Sequence, residues 1–568
     1  MSVKMDKTVQ DGPDAVKIEE GEAKFHRLGW KRLAVILIVE AVALGSLSLP
    51  AAYATLGMVC GVILTIGLGF AAIYASYVIG EVKLKYPEVR HYTDIGRLLL
   101  GEFGYWVFTV GFVVSLILVT GSHCLTGKIA FASVTGSDVC TLVFSIVSAL
   151  ILLALAIPPS FAEIAILGYV DFASIAAAIL ITMIATGIQS SGQQEELASA
   201  AWSAWPRKDV TFTKAMTAVA NIVFAYAFAV AQPSFMDELH TPQDFKKSVM
   251  AVGVIEIAIY TLTGSIIYYF VGQDVKSPAL LSAGPLISRV AFGVAFPVIF
   301  VSGSINITVL CRYIHGQMYR STVTQYVNTF KGWATWLTLV SIVSILAWII
   351  AEAIPFFNEL LSIISSLFVS GFSYYFPPLM WFALIKEGPW YSRHNLPTAL
   401  GNFMVLAIGL IALGCGTYAS VIEICFKRHE LLSAVFGSKA YGKAIRSLRR
   451  VVDGEQLYTV ETLCAMMLFY RFMRFSGLYF VDELMPQQLG IRRVIEQIGP
   501  PDLKDELHYQ LFLSHLSIME EKEDAAPGID DGDFGIDDDG SGTDDDEDTL
   551  YELLVIVFYS TLAPYYVS

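Results

Sequence analysis

Residues Leu33 to Gly57 read LAVILIVEAVALGSLSLPAAYATLG, a run long and apolar enough to cross a bilayer. Inside it stand a carboxylate (Glu40), a Gly45-Ser46 pair and Pro50. A spanning helix must satisfy its backbone internally, and a break at membrane depth persists only where freed N–H and C=O groups line a cavity in the protein or meet a ligand. The sequence therefore predicts a helix broken near Gly45, with Glu40 about one turn before the break. A second stretch of this kind, Thr213 to Phe235 (TKAMTAVANIVFAYAFAVAQPSF), contains Pro233 and alternates small and aromatic residues through Phe224, Ala225, Tyr226, Ala227 and Phe228. Two interrupted helices in matching positions of two repeats point to the midplane site of a secondary transporter.

The composition agrees with a membrane protein. The chain is 55% hydrophobic and 16% charged over 568 residues, with a mean hydropathy of +0.59, which places it outside the soluble class. Its net charge of −15 is unevenly placed. Residues 426–568 hold 26 Asp and Glu against 13 Lys and Arg, whereas residues 1–425 hold 26 against 24. The membrane part is close to neutral and carries no nucleic-acid footprint. The seven cysteines are scattered, with no CxxC pair and no histidine at ligand spacing, so neither a metal nor a cofactor is expected. Cys124 and Cys140 flank one predicted external loop; a disulfide and two free packing thiols are both compatible with them. HExxH and GxSxG are missing, and His123 stands alone near a predicted helix end, so the sequence argues against an enzyme.

With about 20 residues per span, eleven transmembrane helices are predicted. They run Leu33–Gly57, Cys60–Gly80, Tyr105–Thr126, Leu142–Ile157, Ile164–Ile188, Thr213–Phe235, Val249–Val271, Pro285–Leu310, Trp333–Ile354, Leu360–Ile385 and Ala399–Ile422. Residues 1–30 read as a disordered polar arm without a signal peptide, and 31–425 as the transmembrane domain. With the N-terminus in the cytosol, the inner segments hold eighteen Lys and Arg and the outer ones six, so the positive-inside rule places the N-terminus in the cytosol. An odd number of helices then puts the tail outside, although Lys427, Arg428, Lys439 and Lys443 follow the last helix at once. Residues 426–519 have the patterning of a soluble helical extension. Residues 520–548 form an acidic disordered segment of fifteen carboxylates against Lys522, and 549–568 a short apolar C-terminus. A calcium loop in GIDDDGSGTDDD fails on register, because Gly535 falls where an Asp is needed.

Three segments together, GSLSLPAAYATLG, YPEVRHYTDIGRLLLG and IVFAYAFAVAQPSFMDEL, resemble the auxin/amino-acid permease family, and within it the fungal neutral amino-acid permeases of the N-system type. The likeness extends from about Trp30 to Ile424. It implies an all-α polytopic membrane protein of eleven helices, the first ten forming inverted five-helix repeats of the leucine-transporter type with helices one and six broken. It also implies uptake of amino acids by proton symport, with helix eight beside helix one and a bundle of helices one, two, six and seven rocking against the rest. The plasma membrane is expected rather than the vacuole. Beyond Cys425 the likeness is lost, and with the charge conflict this points to a joined gene model or a gene fusion.

An amino-acid site must answer a carboxylate, an ammonium and a side chain. Freed N–H groups at Ala43, Gly45, Ser46 and Leu47, at the positive start of a half-helix, suit the carboxylate. Unwound carbonyls from Phe224 to Ala227, with those near Val42, suit the ammonium. The rings of Phe224, Tyr226 and Phe228 suit aliphatic or aromatic side chains. Ser302, Ser304, Asn306 and Thr308 give the eighth helix a polar face for ion coupling or for interhelical hydrogen bonds. Glu40, an ionisable group inside a membrane helix, is the first candidate for carrying the coupled proton, and Glu256 the second. Asp171, Glu163 and Glu352 read as interfacial. Glycine and serine also serve close packing of membrane helices, so Gly45 and Ser46 have a structural reading beside the functional one. The alternative to transport is an amino-acid sensor with a transporter fold and little flux. The partners expected are the amino-acid substrate, protons and the lipid bilayer.

Overall fold

The computed structural model describes residues 29–136, 141–159, 161–192, 202–237, 239–320, 322–327 and 329–428. The expected N-terminal arm up to Leu28, Cys140, and the expected extension, acidic segment and C-terminus beyond Arg428 lie outside the described residues. The described residues belong to one compact unit and are helical, with no strand among them.

Nine helices among the described residues are long and apolar enough to cross a membrane, and two shorter apolar helices, Thr141–Leu155 and Phe212–Ala225, stand in the places of the expected fourth and sixth spans. Together with the five-residue helix Gln232–Met236 they are, in chain order, α1 (Trp30–Leu56), α2 (Met58–Lys85), α3 (Tyr92–Thr135), α4 (Thr141–Leu155), α5 (Phe161–Gly192), α6 (Phe212–Ala225), α7 (Gln232–Met236), α8 (Phe245–Val271), α9 (Pro285–Met318), α10 (Phe330–Ala353), α11 (Phe357–Ile385) and α12 (Leu396–Arg428). α3 begins thirteen residues before the expected span and kinks at Leu100 and Gly101, where Gly101 takes a φ of +66° that glycine tolerates best. α1 and α9 form the buried centre, and α8, α6 and α5 pack on α1 while α3 and α5 pack on α9. Large apolar side chains such as Ile63, Phe70, Phe103 and Trp106 stand more than half exposed on the outside, the face a bilayer would cover.

The sixth span is broken, as its sequence predicts. α6 ends at Ala225, a 3₁₀ turn covers Ala227–Val230, and α7 starts with Pro233 in its first turn. Tyr226, between α6 and that turn, leaves helical geometry (φ −101°, ψ 39°), and Pro233 stands at the start of α7, where its missing N–H breaks no helical bond. The first span differs from the expectation: α1 runs unbroken from Trp30 to Leu56 through Gly45, Ser46 and Pro50. Two serines satisfy their hydroxyls within it: Ser46 Oγ donates to the Val42 carbonyl (2.6 Å) and Ser48 Oγ to the Gly45 carbonyl (2.9 Å). Pro50 removes a single helical donor, which is not enough to part the helix. The N–H groups of residues 43–47 are thus spent inside α1 and do not form an open half-helix end in this conformation.

Candidate substrate and coupling site

The helix interruption brings α6 against α1 at one glycine. A Cβ on Gly45 would lie 2.8 Å from the Ala225 Cα and 3.2 Å from the Tyr260 hydroxyl. Gly45 is therefore a close-approach residue, and the packing reading of its sequence context is the one the geometry displays. The carbonyls released by the break are already used. Tyr260 of α8 donates to the Ala225 carbonyl (2.8 Å), and Ser373 of α11 donates to the Tyr226 carbonyl (3.1 Å). Buried backbone acceptors need partners of this kind, and here side chains from neighbouring helices supply them.

A small cavity of about 20 Å³, room for little more than a water molecule, opens beside the break. Glu40, Ala41 and Leu44 of α1 form one wall; Ser115, Val119 and His123 form a second, four residues apart along one face of α3. Phe224, Ala227 and Phe228 come from the interrupted span, Asn306 from α9, and Ile364 and Val369 from α11. The structure thus gathers five expected site residues, Glu40, Phe224, Ala227, Phe228 and Asn306, around one space. Ala43, Gly45, Ser46, Leu47, Ser302 and Ser304 do not line it. Tyr226 turns away: its hydroxyl donates to the Thr65 carbonyl of α2 (2.7 Å) and its ring meets that of Tyr260 edge-on.

Glu40 has one carboxylate oxygen, Oε2, that is buried without a hydrogen-bond partner among the described residues. Glu256 of α8 is completely buried, neither of its oxygens has a partner, and it lies close enough to Glu40 to feel its charge. Along α9 the polar face is mostly self-satisfied, with Ser304 Oγ donating to the Val301 carbonyl (2.8 Å) and Thr308 Oγ1 to the Ser304 carbonyl (3.0 Å).

Two sequence readings are corrected. His123 is no helix-end residue; it sits inside α3, fully buried, in the cavity wall. Asp171 lies inside α5, fully buried and without a partner for either oxygen, rather than at an interface. Glu352 does stand near the end of α10, paired with Lys128 at 2.9 Å. Cys124 is a free thiol pointing at the Ser145 carbonyl. A lone ionisable residue within an apolar span was the signal available for His123.

The family described as transmembrane amino acid transporter protein matches residues 26–422. The chain belongs to that family. It is 57% identical over 408 residues to the N amino acid transport system protein of Neurospora crassa, covering 72% of this chain and 87% of the relative. A transmembrane transporter of Fusarium pseudograminearum is 27% identical over 436 residues, covering 72% and 92% of the two chains. Among solved structures, a Na⁺-coupled sialic acid symporter in a substrate-bound outward-open state aligns with a TM-score of 0.45 and 9% identity, covering 72% of this chain and 96% of that one.

Proposed function

We propose that this protein takes up neutral amino acids, aliphatic or aromatic, by proton symport with alternating access, and that it does so at the plasma membrane with its N-terminus in the cytosol. The observation that carries the reading is the cavity at the interrupted span: an apolar wall of Leu44, Phe224, Phe228, Ile364 and Val369 faces a carboxylate, Glu40, whose Oε2 has no protein partner. The near relative's name, an amino acid transport system protein, and the coverage of 87% of its length support the same conclusion. An apolar wall favours substrates without charged side chains. An unpaired carboxylate at membrane depth is costly when ionised, so proton uptake from one side and release to the other is the chemistry that uses it. Glu256, within the electrostatic reach of Glu40, is placed to sense its charge. On this account Ser302, Ser304 and Asn306 build the rigid face of α9 against which the coupling group works.

The test is Glu40→Gln in the full-length protein reconstituted into liposomes. The variant keeps the shape of Glu40 and loses its titration. It is expected to retain substrate counterflow at equal pH and to lose accumulation driven by an inward proton gradient. Gradient-driven accumulation that persists in Glu40→Gln removes Glu40 from the coupling role.

A further inference from the structure

The polar residues around the cavity are Glu40, Ser115, His123 and Asn306, and what they present to it is unusually one-sided. Asn306 donates through Nδ2 to the Ser302 carbonyl (3.1 Å), while its Oδ1 is buried with no protein partner. Ser115 spends its hydroxyl proton on the Phe112 carbonyl (3.0 Å). His123 Nδ1 lies 2.8 Å from the Ile299 carbonyl. A carbonyl can only accept, so Nδ1 carries the ring proton and the neutral imidazole keeps its lone pair on Nε2. Among the described residues the Ser302 hydroxyl reaches Nε2 at 3.5 Å, the far limit of a hydrogen bond. Glu40, when ionised, also only accepts.

The cavity therefore asks for hydrogen-bond donors. The Val42, Ala225 and Tyr226 carbonyls each already accept from a side chain, Ser46, Tyr260 and Ser373, which leaves them less capacity for a substrate ammonium. Resting on the amino-acid transport reading above, we propose that His123 Nε2 and Asn306 Oδ1 together receive the α-ammonium group of the transported amino acid, and so select amino acids over acids that lack it. A nitrogen lone pair from imidazole suits an N–H donor and suits a hard cation such as Na⁺ poorly, since such ions take oxygen ligands. Ile299 is the positioning residue: its carbonyl holds the proton on Nδ1 and so keeps the Nε2 lone pair available as an acceptor.

The experiment measures equilibrium binding to the full-length protein in lipid nanodiscs with two probes, L-phenylalanine and L-3-phenyllactate, which share side chain and carboxylate and differ in ammonium against hydroxyl. Uptake of labelled phenylalanine into liposomes is measured on the same proteins. Wild type is expected to prefer phenylalanine by about 10- to 100-fold, the range of one or two hydrogen bonds to a charged group. His123→Phe and Asn306→Leu are expected to weaken phenylalanine about tenfold or more and phenyllactate, whose neutral hydroxyl donates one weaker bond, by no more than about threefold, with KM for phenylalanine rising more than Vmax falls. His123→Gln, which restores an acceptor oxygen, recovers part of the preference and remains informative if His123→Phe does not fold. Equal loss for both probes, or no loss for either, overturns the ammonium site while leaving the transport reading intact. A wild type that neither binds nor accumulates phenylalanine, leucine or any other neutral amino acid overturns both.

Discussion

Replacing Gly45 with alanine tests the seam between α1 and the interrupted span. The added methyl would sit 2.8 Å from the Cα and 3.0 Å from the Cβ of Ala225, where ordinary contact begins at 3.4 Å. The obstacle includes backbone, which has no rotamer to yield, so α1 and α6 must part by roughly half an ångström. Overpacking of this sort costs about 1–3 kcal/mol. Alanine returns up to about 1 kcal/mol of helix propensity. Parting the helices also strains the 2.8 Å bond from Tyr260 to the Ala225 carbonyl, a group worth about 1 kcal/mol more if it is lost. The net expectation is a loss of about 1–3 kcal/mol together with a raised KM for uptake. The assay is denaturant-induced unfolding of the full-length protein in mixed micelles, with Gly67→Ala as the control. Gly67 is exposed on α2 with nothing within 4 Å of the position a Cβ would take, so that variant is expected to be neutral or slightly stabilising. Equal stability for the two variants would refute the close approach at Gly45 and with it the packing of the break against α1.

Two further predictions concern the ends of the helices. Lys83 of α2 pairs with Asp237 just beyond α7 at 2.7 Å and also donates to the Pro87 and Val89 carbonyls. Lys83→Met is expected to cost about 1–3 kcal/mol, because Asp237 is only partly hydrated and several acceptors lose their donor at once. Asp237→Asn is expected to cost less, since Lys83 keeps its carbonyl bonds; the reverse order in unfolding midpoints contradicts this assignment. His91, at the start of α3, bonds Ser234 through Nδ1 (2.9 Å) and packs edge-on against Tyr313. Burial pushes its imidazole down to about 4, Asp94 and Asp237 opposing that shift and Arg312 and Arg90 adding to it. The unfolded chain binds a proton near pH 6.5 and the folded one near 4, so stability falls as pH drops from about 6.5 toward 4 and is unaffected by this group above that window. Unfolding midpoints measured from pH 7.5 to 4.5 should show the decline in wild type and a shallower one in His91→Gln.

The helical class, the eleven apolar segments and the interruption of the sixth span were legible because length, hydropathy and the small-aromatic alternation ahead of Pro233 are local features. The first span departs from its sequence reading: Gly45, Ser46 and Pro50 look like a break, but in this conformation α1 continues through all three and Gly45 serves the close approach of Ala225. The cavity was half legible. Glu40, Phe224, Phe228 and Asn306 announce themselves by residue type within the two unusual helices and the polar face of α9. His123 stands out as a lone ionisable residue, but its place in the cavity wall does not, because Ile299, which its Nδ1 meets, lies 176 residues along the chain and only the packing of α3 on α9 brings them together. Nor could the sequence foresee that the Ala225 and Tyr226 carbonyls would be taken by Tyr260 and Ser373, helices distant in sequence. Local chemistry exposes which groups a break frees; tertiary packing decides who claims them.

Uptake of a radiolabelled neutral amino acid by liposomes containing the full-length protein tests coupled transport most directly. With an inward proton gradient, the account predicts accumulation above the outside concentration that collapses when a protonophore is added. Binding without accumulation under the same gradient contradicts it and turns the protein into a sensor built on a transporter's frame.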